Sequence, residues 1–84
     1  MSLALYMVIN KHLPEECEPM EADFTDLPER LTGQDFYCTC PAGEHALYMF
    51  LEGNTAEDVL SLFRGLTRKN SRAVPVDLFK LEHA

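Results

Sequence analysis

Phe36-Tyr37-Cys38-Thr39-Cys40 and His45-Ala46-Leu47-Tyr48-Met49-Phe50-Leu51 are two runs rich in aromatic and apolar side chains, with only Pro41-Ala42-Gly43-Glu44 between them. Runs of this composition around a short Pro/Gly segment form a β-hairpin. The second run constrains the fold most, because it is apolar at both odd and even positions. A strand that is apolar on both faces has to be covered on both. With those four residues as the loop, Cys40 pairs with His45 and Cys38 with Leu47. Phe36, Cys38, Cys40, His45, Leu47, Met49 and Leu51 then point to one side.

Leu3-Ala4-Leu5-Tyr6-Met7-Val8-Ile9 has the same two-faced apolar character and ends in Asn10-Lys11-His12, so it reads as a first, central strand. Met1, Ser2 and Leu3 carry no weight in the reading. Met20, Phe24, Leu27 and Leu31 then follow at the spacing of one helix face. Prolines at 14, 19 and 28 interrupt that segment, so the helix is expected to begin at Pro19 and to end or restart at Asp26-Leu27-Pro28. After Gly53, Asn54-Thr55-Ala56-Glu57 has the form of a capped helix start, with Asn54 as the cap. Ala56, Val59, Leu60, Phe63 and Leu66 continue it as one apolar face. Residues 67–73 read as a polar connection, and residues 74–81 as a last strand kept to an edge by Pro75.

The order strand, helix, strand, strand, helix, strand is that of the ferredoxin-like βαββαβ arrangement, an α+β fold. In it the first and third strands are central, the sheet is antiparallel, and two helices cover one face. The chain of 84 residues is then a single domain over 1–84, small enough that a core of its own is marginal. The second apolar sheet face asks for a partner, most simply a second copy related by a two-fold axis.

On Leu5-Tyr6-Met7-Val8-Ile9, the hairpin, Leu47 to Gly53 and Val74-Pro75-Val76, the chain resembles the dimeric α/β-barrel superfamily. It is most similar to that family's short members, some of them described as metal-binding. The resemblance implies a homodimer joined sheet to sheet. It also implies a cleft between sheet and helices that holds a small organic molecule, with monooxygenase- or isomerase-like chemistry at most.

Three sets of residues could carry chemistry. Cys38, Cys40 and His45 neighbour one another on the hairpin, and thiolate with imidazole suits zinc, copper or nickel. The same thiols could be a redox pair. In an extended strand, however, residues two apart lie about 6.5 Å from each other, which would strain a disulfide. Tyr6, Asn10, His12 and Tyr48 form the third set, polar tips from the central strands that could orient a substrate or move a proton. Whether the two tyrosines share a face depends on the register. Cys17 stands among Glu15, Glu16 and Glu18, whose charges disfavour a thiolate, so it is not a candidate nucleophile.

A net charge of −7 argues against a nucleic-acid binder. Acids crowd residues 15–30 and bases residues 64–72, which could steer self-association or recruit a partner to a regulatory module without catalysis. No apolar run approaches the roughly 18 residues of a membrane span. Three cysteines are too few and odd for a secreted disulfide scaffold, so a reducing cytoplasm is expected. Phosphate-loop, dinucleotide, HExxH and GxSxG motifs are absent.

Overall fold

The computed structural model describes residues 3–25 and 27–81; Asp26, named above at the helix break, and Met1 and Ser2 lie outside the described residues. The elements are β1 (Ala4–Lys11), α1 (Cys17–Glu21), β2 (Phe36–Cys38), β3 (Ala46–Gly53), α2 (Ala56–Leu60), α3 (Gly65–Lys69) and β4 (Ser71–Pro75). They form a small α+β structure around a four-stranded antiparallel sheet in the order β2-β3-β1-β4. The two strands with apolar residues on both faces, β1 and β3, are therefore the central pair. β4, which ends at Pro75, is an edge, where a missing N–H costs no internal ladder bond.

Register decides the two faces. Val8 lies opposite Met49 and Ala73, Tyr6 opposite Leu51, and Asn10 opposite Leu47. This face carries the core, in which Tyr6, Val8, Met49 and Leu51 pack against Leu31, Val59 and Phe63, and Val59 is 0% exposed. The opposite face presents Leu5, Met7, Ile9, Tyr48, Phe50 and Val74. Ile9 is buried and Phe50 is 45% exposed.

The proline-broken first helical segment is in pieces. A single turn at Pro14–Glu16 leads into five-residue α1, and tight turns follow at Ala22–Phe24 and Glu29–Leu31. The helix begins at Cys17 rather than Pro19, because the Pro14–Glu16 turn already supplies its entry. In that turn the Glu16 carboxylate accepts the Leu13 N–H at 2.8 Å. Met20 and Leu31 are buried, and Phe24 stacks on Phe36 with ring centroids 5.9 Å apart.

The second helical segment departs from the sequence expectation. Its cap is Thr55 rather than Asn54. Thr55 Oγ1 accepts the Asp58 N–H at 3.0 Å, and the Asp58 carboxylate accepts the Asn54 N–H at 3.0 Å. The cap and its acidic partner are thus one residue further along than Asn54 and Glu57, with the carboxylate reaching back to the N–H just before the cap. The helix does not run through Leu66 either. It stops after Leu60, turns at Gly65 (φ +62°) and restarts as α3. Tertiary contact accounts for the break: the Asp23 carboxylate accepts both the N–H and the hydroxyl of Thr67, each at 3.0 Å, satisfying a donor that continuous helix would otherwise have bonded. β4 consequently starts at Ser71, and residues 76–81 are not a strand, although the Val76 N–H still reaches Leu5 O at 3.0 Å. No helix among the described residues is long and apolar enough to cross a membrane.

Candidate metal centre

One end of the sheet gathers the nucleophilic side chains. β1 and β3 stay bonded one step past their last pair, where the His12 N–H donates to His45 O at 3.0 Å. The two imidazoles therefore meet edge to face, with centroids 5.6 Å apart. The hairpin loop is a tight turn at Cys40–Ala42 closed by Gly43, whose φ of +88° suits glycine and returns the chain toward His45. Cys40 thus leaves the strand, although Cys38 still pairs with Leu47 as the hairpin register requires. From the other side, α1 presents Cys17.

The result is a cluster of His12, Cys17, Cys40 and His45, all half-buried, whose donor atoms lie within 4.8 Å of one another and could hold a metal ion. Cys17 Sγ is 3.1 Å from His45 Nδ1, and Cys40 Sγ is 3.7 Å from His12 Nε2. A tetrahedral zinc with sulfur at about 2.3 Å and nitrogen at about 2.05 Å needs donor separations of roughly 3.3 to 3.8 Å. The two closest thiol–imidazole pairs, at 3.1 and 3.7 Å, already lie near that range. Two thiols and two imidazoles are a donor set that zinc accepts readily.

His12 is held in the tautomer a metal needs. Asn10, 2% exposed, donates through Nδ2 to Thr67 O at 3.1 Å and to Ser71 Oγ at 2.9 Å. The Ser71 hydroxyl donates to Thr67 O at 2.5 Å, so it is free to accept from Asn10. That assigns Oδ1 as the atom facing His12 Nδ1 at 2.9 Å. Oδ1 is an acceptor only, so Nδ1 carries the proton and the Nε2 lone pair points at the cluster.

Burial, with the neighbouring His45 charge adding to it, lowers the His12 pKa below its ordinary value, while Glu16 opposes the shift. The Cys40 thiol is pushed up to about 11, first by its hydrogen bond with Cys38, then by burial and by the charges of Cys38 and Cys17. A bound cation reverses that tendency, because a coordinated thiol gives up its proton.

The candidate residues from sequence are distributed unevenly. Cys40 and His45 are in the cluster. Cys38 is exposed and outside it, though its sulfur accepts the Cys40 N–H at 3.4 Å. His12 and Asn10, grouped above with two tyrosines, stand at the metal-type site as ligand and orienting residue. Tyr6 faces the core. Tyr48 pairs with Ile9 on the opposite sheet face, so the register separates the two tyrosines. Cys17, which the sequence does not offer as a nucleophile, is a member of the cluster, because its acidic neighbours disfavour a free thiolate without preventing a metal from holding one. A signal for it exists in the sequence: four residues separate His12 from Cys17, and four separate Cys40 from His45. Such spacing is typical of zinc ligands.

Beside the cluster, between α1 and the sheet, lies a cavity of about 210 Å³ lined by Met20, Phe24, Phe36 and Leu47 together with His12 and the three cysteines. Compared with family models, curated proteins and solved structures, the chain matches none.

Proposed function

We propose that this chain is a small metal-binding protein that takes one zinc-type ion on His12 Nε2, Cys17 Sγ, Cys40 Sγ and His45 Nδ1. The convergence of these four donor atoms within 4.8 Å carries the reading. The ligands come from the exit of β1, the start of α1, the hairpin turn and the entry to β3. An ion there would tie the weakly built first helical segment to the sheet. Four protein donors leave no open position, which favours a structural role, and an 84-residue chain with a marginal core gains from such a staple. A reducing cytoplasm, which keeps the three free thiols available, suits this reading.

The test is metal analysis of the full chain made without a His tag and reconstituted with zinc. One zinc per chain, lost when Cys17 and His45 are replaced together, is expected. A metal-free product after reconstitution would end the reading.

The central placement of β1 and β3 supports assigning the chain to the ferredoxin-like arrangement of the dimeric α/β barrels. The open face carrying Leu5, Met7, Phe50 and Val74 supports a second copy packed against it. The apolar cavity beside the cluster favours a further reading in which a small organic ligand, no larger than one or two rings, sits between α1 and the sheet. An apolar cavity of about 150 Å³ is enough for benzene.

A further inference from the structure

Cys38 is the one thiol the proposed centre does not use, and it is exposed. It is nevertheless bound closely to a ligand. Its sulfur accepts the Cys40 N–H at 3.4 Å. The backbone between them is no longer extended, since Thr39 has φ −95° and ψ 5°. A helical turn of that kind brings residues two apart to about 5.5 Å between Cα atoms, near the preferred disulfide separation, where an extended strand holds them at about 6.5 Å.

We infer that Cys38 is an oxidation site for hydrogen peroxide, that its product is a Cys38–Cys40 disulfide, and that closing this bridge takes Cys40 from the metal; the last step rests on the metal reading above. The Cys38 sulfur attacks one peroxide oxygen, the O–O bond breaks, and the far oxygen leaves as water, giving the sulfenic acid. The Cys40 sulfur then attacks the Cys38 sulfur. The S–S bond forms, the S–O bond breaks, and the second oxygen leaves as water. The two cysteine sulfurs together lose two electrons, the proton that a metal-bound Cys40 lacks comes from solvent, and the peroxide becomes two waters. A metal loses one of its four ligands in the process. Exposure places Cys38 ahead of Cys17 and Cys40, whose sulfurs a bound ion would occupy. The small ring closed across Thr39 makes the bridge readily reducible, hence reversible.

The experiment loads the full chain with zinc, adds hydrogen peroxide, and follows zinc release with a chromogenic chelator. Thiols are then alkylated and mapped by mass spectrometry. The wild type should release its zinc and yield one peptide that has lost two hydrogens and resists alkylation at Cys38 and Cys40, while Cys17 is labelled; dithiothreitol should restore zinc uptake. Cys38→Ser should keep full zinc stoichiometry and release it at least tenfold more slowly. Equal release rates in the two proteins, or a bridge between Cys17 and Cys40, would overturn the inference. A chain that takes up no zinc overturns the metal reading instead. Mapping of that metal-free chain still decides the thiol chemistry: a Cys38–Cys40 bridge sustains it and any other product overturns it.

Discussion

Replacing Asn10 by Ala removes the residue that connects the proposed centre to the rest of the fold. Asn10 donates to Thr67 O and Ser71 Oγ and accepts from His12 Nδ1, all from a side chain that is 2% exposed. A buried hydrogen bond contributes about 1 kcal/mol, and a polar partner left bare costs about 1–3 kcal/mol. Ser71 already satisfies Thr67 O by its own donation, so the metal-free chain should lose roughly 2–3 kcal/mol. The effect on metal is separate. Without Oδ1, His12 can place its proton on Nε2 and turn its ring, and loss of such an orienting partner weakens a metal site by roughly 10- to 100-fold. Urea titration of the apo chain measures the first effect, and zinc competition against a chromogenic chelator measures the second. Nitrogen NMR of the His12 ring reads the tautomer directly. If Asn10→Ala destabilises the chain but leaves zinc affinity within twofold and His12 protonated on Nδ1, the orienting role is refuted.

Zinc at a hundredfold excess over its dissociation constant should add about 2.7 kcal/mol to stability. For a domain of this size that raises Tm by roughly 10–20 °C. A chelator should abolish the rise, and Cys17→Ser should never show it; scanning calorimetry checks both. Asp58 has its carboxyl held below the ordinary carboxylate value, first by the Asn54 N–H and then by Arg30. Its contribution is therefore complete above the unfolded pKa and is lost as pH falls through the lower folded one. Asp58→Asn should weaken the chain at pH 7, and denaturation at a series of pH values should show the gap to wild type closing below about pH 4. Phe50→Asp, on the open sheet face, should leave zinc binding intact but shift sedimentation at micromolar concentration from dimer to monomer. Identical sedimentation of the two proteins would count against pairing through that face.

Much of the layout was legible because it rests on local periodicity. The two-faced apolar runs of β1 and β3 announced central strands, and Pro14, Pro19 and Pro28 announced a broken helix, since neither effect needs a distant partner. The Cys38 to Leu47 register followed from loop length alone. The second helical segment was less legible. Apolar spacing through Leu66 argued for one helix, but the chain leaves it after Leu60 and restarts at Gly65, where the Asp23 carboxylate, more than forty residues away along the chain, accepts the Thr67 N–H.

The site divides the same way. Sequence alone determined that thiols and an imidazole would stand at the hairpin end, because Cys40 and His45 flank its turn. It also determined that His12 would sit where the first strand ends. Only the tertiary structure decided which of these side chains meet. Pairing of β1 with β3 set His12 beside His45, the packing of α1 on the sheet delivered Cys17, and the tight turn at Thr39 moved Cys40 into the cluster while leaving Cys38 outside. Donor identity is written in the chain. Donor convergence depends on contacts between segments far apart in it, and a linear spacing pattern fixes those only after the strands have found their register.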